Sequence, residues 1–156
     1  MNSDMYSFLV HLHSIGRWLV LLLLLVAIFN SLVAGSRPFI RSDARTGTIL
    51  VIFADLMFLI GISLWFFNSK GIGHESLRDH SFSEIMKNNA LRFYFIEHPA
   101  MMLVAIILLH IGKAQGKKAI SDKSKHTRTL VFYLLALLLI LISIPWPFRA
   151  VGGHWY

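Results

Sequence analysis

The stretch that decides the fold is RFYFIEHPAMMLVAIILLHIGKA, residues 92–114. It has the composition of a membrane span, but it also contains ionisable side chains. Most of the stretch is apolar, and a helix of about 20 such residues crosses a hydrocarbon layer of roughly 30 Å. Glu97, His98 and Pro99 nevertheless stand together inside it, and His110 follows. A charge at the centre of a bilayer costs about 2.5–3.5 kcal/mol on insertion scales, so ionisable groups there favour a functional role. The stretch therefore predicts a transmembrane helix that carries a candidate site.

Three more apolar runs of similar length lie elsewhere in the chain, so the predicted fold class is all-α, a four-helix transmembrane bundle. Hydrophobic residues make up 56% of the 156 residues, and the mean hydropathy is +0.63. This composition is too apolar for an ordinary soluble protein, and the length predicts a single domain, residues 1–156. The predicted spans are residues 6–34, 48–67, 91–113 and 129–146.

Composition also excludes several classes of site. The chain has no cysteine, which excludes disulfides, thiolate metal sites, iron–sulfur clusters and covalently attached haem of the CxxCH kind. The net charge of +7 favours the lipid bilayer over nucleic acid as the partner, because the basic residues lie in short loops beside the spans.

The distribution of these basic residues predicts the orientation of the bundle. Loops one and three are strongly basic, whereas loop two is balanced. Positive loops stay in the cytoplasm, which predicts an up-down-up-down topology with both termini on the outer, periplasmic side. The basic residues of loops one and three are Arg37, Arg41, Arg45, Lys113, Lys117, Lys118, Lys123, Lys125 and Arg128.

Two local signals surround the third span. Ser81 and Glu84 match the S-x-x-E capping box and predict a helix that begins near Phe82, with a short surface turn before the lipid. Pro99 then lies inside a helix, where proline frees the carbonyl of Phe95 and kinks the helix beside the candidate site. In span two, Gly61 and Ser63 are predicted close-packing points.

Two histidines are predicted to meet in the outer half of the bundle. His13 and His98 each follow the start of a predicted span by about seven residues, which is roughly 10 Å at 1.5 Å per residue. Spans one and three enter the membrane from the same side, so the two imidazoles lie at matching depth. Facing histidines on separate helices of a bundle can hold the iron of a haem b, and these two are the predicted ligands.

The neighbours of both histidines suit a buried cofactor. Gly16 and Arg17 share the helical face of His13, so Gly16 leaves room for a flat macrocycle, and Arg17 can pair with a propionate or with Glu97. Met101 and Met102 share the face of His98 and offer a soft apolar wall. Further candidate contacts of the propionates are Arg92 and Arg149.

The remaining histidines are ambiguous or peripheral. His11 is an alternative ligand, but it is about 200° away from His13 around the helix, so the two cannot share a face. His13 is preferred because it lies deeper. Solvated positions in loops or in the tail are predicted for His74, His80, His126 and His154.

A second, weaker site is predicted toward the cytoplasmic side. Asp55 in span two and His110 in span three can be neighbours, and a proton relay that involves Asp55, His110 and Glu97 is one interpretation. The alternative is that Asp55 makes a structural hydrogen bond and that His110 reaches toward water. A second haem on His110 would require His126 to fold back, and it is not favoured.

Three segments resemble a family of small four-span bacterial membrane proteins, of the Bacteroidetes type, that are labelled cytochrome b. The segments are HLHSIGRW (11–18), EHPAMM (97–102) and SIPWPFR (143–149), and the resemblance covers almost the whole chain. It implies a multi-pass protein of the bacterial inner membrane with bound haem b. The chain is similar in size to the four-helix dihaem cytochromes b, which exchange electrons with quinone, but it has only one evident histidine pair where those have two.

Three functions follow as hypotheses. The first is a haem b electron carrier between quinone and an outer-face partner, an oxidoreductase only in the sense that it acts through haem. The second is a copper-binding or transport module, since the outer-face histidines and methionines suit copper. The third is an accessory subunit without cofactor, in a homo-oligomer or a larger membrane complex.

Overall fold

The computed structural model describes residues 3–67 and 80–152, and the described chain is all-helical. Four of its helical segments are long and apolar enough to cross a membrane, as the sequence predicted. They are α1, Ser3–Val33; α2, Arg41–Phe66; the segment Asn89–Gln115; and α6, Asp122–Ser143. The segment Asn89–Gln115 comprises α4 (Asn89–Arg92), a π-helical turn (Phe93–Glu97) and α5 (His98–Gln115), and a short helix, α3 (Phe82–Lys87), precedes it.

Polar caps, rather than the apolar runs, set where α2 and α6 begin. The backbone N–H of Ile40 donates to the Asp43 carboxylate at 3.0 Å, and α2 begins at Arg41, seven residues before the predicted span. The Ser121 hydroxyl accepts from the backbone N–H of Ser124, so α6 begins at Asp122 rather than near residue 129. Both helices therefore carry polar first turns that extend beyond the apolar segment.

Each long helix packs against two others. The contacting pairs are α1 with α2, α1 with α6, α2 with α5, and α5 with α6. This arrangement places α1 and α5 across the centre of the bundle from each other. The core between the helices includes Leu24, Leu50, Leu109 and Ala136, each of which is at most 1% exposed. Most other large apolar side chains face outward, as expected where lipid is the solvent.

A close contact between α5 and α6 lies at Gly112. A Cβ atom at Gly112 would lie 2.6 Å from Cε1 of Tyr133, whose side chain is 2% exposed. The Thr129 hydroxyl donates to the Gly112 carbonyl at 3.1 Å. Small residues let transmembrane backbones approach closely, and here a glycine admits the tyrosine ring.

A helix begins at Phe82, as predicted, but it ends at Lys87, and the third span begins separately at Asn89 with Asn88 as its cap. The predicted capping box is confirmed, because Ser81 and Glu84 exchange hydrogen bonds at the start of α3, which begins at Phe82. The π-helical turn ends just before Pro99, and the N–H of His98 donates to Phe93 O. Such turns widen a helix locally and are frequent at functional sites.

Pro99 has no backbone N–H to donate to the carbonyl of Phe95, and this carbonyl accepts a hydrogen bond from another residue instead. The indole Nε1–H of Trp65, near the end of α2, donates to Phe95 O at 3.3 Å. The proline therefore creates an acceptor that ties α2 to the third span beside His98.

Candidate functional site

His13 of α1 and His98 of α5 face each other across the bundle. Their ring centroids are 6.3 Å apart, and the ring planes are inclined by 74°. The two helices are not neighbours in the bundle, so only side chains that point to its centre can meet in this way. The structure thus brings together the two histidines that the sequence singled out.

The ring of His98 is held in a defined orientation. Its Nδ1–H donates to the carbonyl of Ser143 at the end of α6, at 2.8 Å. A carbonyl oxygen can only accept, so this bond places the proton on Nδ1 and leaves the lone pair on Nε2. Phe93, which is 1% exposed, lies 5.9 Å from the His98 ring, centroid to centroid, and shields it from lipid.

The ring of His13 is less completely bonded. Its Nδ1 atom is buried and makes no hydrogen bond of normal geometry with the described residues, although the backbone of Met57 lies close enough to interact with the imidazole. The ring packs against α2 at the predicted close-packing glycine, where a Cβ at Gly61 would lie 3.2 Å from Cε1 of His13. Buried polar nitrogens normally have a full hydrogen bond, so this atom of His13 retains capacity to bind a further group.

The space beside Gly16 is filled by a residue that sequence reasoning did not single out. A Cβ at Gly16 would overlap the Sδ atom of Met57 from α2. The room that Gly16 was predicted to leave for a macrocycle is therefore taken up by a thioether. Methionine has three rotatable bonds, and its end can move more cheaply than a ring or the backbone.

The charged residues around the pair divide into two groups. Arg17 lies over the ring of Trp18, with 5.2 Å from Cζ to the centroid, and it is close enough to interact electrostatically with both histidines. Glu97 instead accepts from Nε of Arg92 at 2.7 Å, in a partly exposed ion pair. Glu97, one of the two partners predicted for Arg17, is therefore paired with Arg92 instead.

Arg149 approaches the site from the end of the fourth span. Its guanidinium lies 5.1 Å from the centroid of Phe93 and donates to the carbonyls of Ile142 and Ile144. Met102 packs against the core cluster, and Met101 is half-buried. His11, the alternative ligand, is exposed on the surface of α1.

Asp55 and His110 are in contact, but on the outside of the bundle. Asp55 Oδ1 and His110 Nε2 are 3.0 Å apart, and the side chains are 44% and 49% exposed respectively. Both lie within apolar helices, so this surface faces lipid if the helices span a membrane. Pairing reduces the cost of placing each polar group there.

The prediction that His126 is solvated is wrong. Its side chain is 2% exposed and packs against Phe39, with 5.1 Å between the ring centroids. The cap at Ser121 explains the error, because it extends α6 across residues that the hydropathy pattern placed in a loop. His80 is exposed, as predicted, and the predictions for His74 and His154 lie outside the described residues.

A small polar cavity lies at the opposite end of the bundle from the histidine pair. Its volume is about 20 Å³, which suits a single water molecule. Its polar lining includes Asn30, Asp43, Thr46, Lys113 and Tyr133. It has no room for a macrocycle.

Sequence reasoning therefore found the two histidines but missed most of the residues around them. Met57, Phe93 and Ser143 look like ordinary residues of apolar spans, and no spacing marks them. Among the described residues, no three His, Cys, Asp or Glu side chains cluster as a metal site. Comparison of the chain with family models, curated proteins and solved structures finds no match.

Proposed function

We propose that this chain is a membrane haem b protein that carries electrons, with His13 and His98 as the axial ligands of the iron. The observation that carries the proposal is the facing pair of imidazoles, 6.3 Å apart between centroids. Two metal–nitrogen bonds of about 2.0 Å, with about 1.1 Å from each nitrogen to its ring centre, give about 6 Å for imidazoles that share one ion. The observed spacing agrees with this value.

The donor set also favours haem over a bare metal ion of the zinc type. A structural zinc site has four protein ligands, whereas only two histidines meet here. A porphyrin supplies four nitrogens itself and needs two axial ligands. The hydrogen bond from His98 to Ser143 is the kind of outer contact that orients a metal-binding imidazole.

Gly16 and Gly61 both lack a side chain next to His13, but the His13 ring itself packs against Gly61, so only the space beside Gly16 would be available to a macrocycle. Met57 would have to rotate away, which its flexible side chain permits. Arg17, Arg92 and Arg149 supply positive charge for propionates. When bound, haem supplies one-electron redox chemistry, and the residues of this chain hold it, orient its ligands and exclude water.

The proposed setting is a bacterial inner membrane, with up-down-up-down helices and both termini outside. The basic loops one and three support this orientation. The proposed electron partners are quinone in the bilayer and a redox protein at the outer face. A homo-oligomer or a larger complex is part of the proposal, and the single facing pair of histidines supports one haem rather than two.

Absorption spectra of the protein purified in mild detergent, oxidised and reduced, test the proposal. We expect a Soret band that is lost in His13→Ala and in His98→Ala. His11→Ala is the matched control, because it removes an exposed histidine from the same helix and should keep the band. Full haem content in both site variants, or a wild-type protein without haem when expressed with ample haem supply, would overturn the proposal.

A copper site is the second candidate, and the position of Met57 favours it. Its thioether lies against Gly16, one turn from His13, so a soft ligand is near the His13 imidazole. Metal analysis of haem-free protein decides between the candidates. Copper bound in a one-to-one ratio and lost in Met57→Leu would support this function, while unchanged binding in that variant would exclude Met57 as a ligand.

A further inference from the structure

One face of α2 begins with two arginines and continues as an apolar stripe. Arg41 and Arg45 are four residues apart and therefore lie on the same side of the helix. The face continues through Ile49, Ile52 and Leu56, which are 45%, 50% and 50% exposed. From Arg45 to Leu56 the helix rises about 16 Å, roughly half the thickness of a hydrocarbon core. The stripe thus has the polarity and the length of one leaflet.

An open groove of about 310 Å³ lies at the top of this stripe. It is lined by Arg41, Ala44, Arg45, Thr48 and Ile49, so both arginines and aliphatic side chains border it. The Thr48 hydroxyl donates to the carbonyl of Ala44 within the helix, so the arginines are the groups that remain to donate to a ligand in the groove.

The two arginines are available for a ligand. The carboxylate nearest in sequence, Asp43, is taken by Arg37 through two hydrogen bonds of 2.7 Å. Within residues 3–67 and 80–152, no side chain forms an ion pair with Arg41 or Arg45. Two unpaired guanidinium groups on one helix face match a phosphate, which accepts several charge-assisted hydrogen bonds at once.

We propose that this groove binds an anionic phospholipid, with its phosphate between Arg41 and Arg45 and an acyl chain along Ile49, Ile52 and Leu56. The guanidinium charges favour a phosphate group, and the apolar stripe favours a phosphate that is attached to an acyl chain. Basic clusters at the ends of transmembrane helices bind anionic lipids through this combination. Its phosphate-binding end at Arg45 lies about 24 Å along α2 from Gly61, which packs against His13, and it does not depend on haem.

Native mass spectrometry of the delipidated protein in detergent tests the site with phosphatidylglycerol as the probe. The variant is Arg41→Gln with Arg45→Gln, and the control is Lys117→Gln with Lys118→Gln, which removes the same charge from loop three. We expect the arginine variant to bind the first phosphatidylglycerol about tenfold more weakly or worse, since two charge-assisted contacts are lost. The control should stay within about twofold.

Two further measurements distinguish a phospholipid from a free phosphate, and specific binding from general charge attraction. Phosphatidylcholine should bind weakly to every form, and inorganic phosphate should not displace phosphatidylglycerol at equal concentration. Equal losses in both double variants would overturn the proposal in favour of general charge attraction, and displacement by inorganic phosphate would assign the groove to a free anion. The substituted positions are exposed, and unchanged helicity by circular dichroism verifies that the variants are folded.

Discussion

Substitution of Gly112 by alanine tests whether the contact between α5 and α6 holds the bundle together. The new methyl group would lie 2.6 and 2.7 Å from two ring carbons of Tyr133 and 3.2 Å from Cβ of Phe132. The ring cannot slide away, because its hydroxyl lies against α2, where a Cβ at Gly47 would be 2.8 Å away. The contact must therefore be relieved by movement of the helices themselves.

The expected magnitude follows from two opposing effects. Overpacking of a tight core costs about 1–3 kcal/mol, whereas alanine improves helix propensity over glycine by about 0.8–1 kcal/mol. We expect a net loss of about 1–2 kcal/mol in the free energy of unfolding, since the ring is confined at both ends. The α5–α6 contact also keeps Ser143 beside His98, so the loss should loosen the histidine pair.

The measurement is unfolding in mixed micelles with a rising fraction of sodium dodecyl sulfate, followed by circular dichroism. Gly16→Ala is the control, because its methyl group would overlap only the mobile end of Met57, and it should change the unfolding free energy by less than about 1 kcal/mol. Tyr133→Leu should relieve the clash, so the double variant with Gly112→Ala should lose at least about 1 kcal/mol less than the sum of the singles. Additivity within about 0.5 kcal/mol would refute the reasoning.

Three more predictions concern the ends and the outer face of the bundle. Trp65→Phe removes the donor to Phe95 O and should cost about 0.5–1.5 kcal/mol of unfolding free energy; no loss would show that this carbonyl is satisfied otherwise. His110→Leu leaves Asp55 without its partner on the apolar surface and should cost about 1–3 kcal/mol of unfolding free energy. Replacement of both residues by leucine should restore this stability. An equal loss in the single and the double variant would contradict a paired role. The backbone and hydroxyl of the capping serine lower the pKa of Glu84 below its ordinary value of 4.5, so the cap stabilises α3 at neutral pH and this stabilisation is lost as the pH falls through the lowered pKa. Hydrogen exchange of the α3 amides should therefore accelerate on acidification beyond the intrinsic pH dependence, and an unchanged protection factor would contradict the cap.

The four helices that are long and apolar enough to cross a membrane were predictable because each depends on a local property of the chain. A run of about 20 apolar residues defines a span whatever packs against it. The capping box at Ser81 and the unfilled carbonyl before Pro99 are likewise local, since both arise from hydrogen bonds or steric contacts within one turn.

The sequence also indicated the histidine pair, through equal depth on two spans that run in the same direction. It could not supply what surrounds the pair. Met57 fills the space at Gly16, and the Ser143 carbonyl orients His98, because helix rotation and register bring them there. His126 shows a further limit. The cap at Ser121 extends α6 over a segment that was predicted as a loop, and His126 is therefore buried in the bundle.

Hydrophobic length and local hydrogen bonding, which the sequence determines by itself, thus set the class of protein and the position of each span. Tertiary structure alone decided which face of each helix turns inward, and with it that the His13–His98 pair lies inside the bundle while the Asp55–His110 pair lies on its surface. The physical reason is that lipid is as apolar as the core, so hydropathy cannot distinguish the two faces of a transmembrane helix. Steric fit between the helices makes that choice.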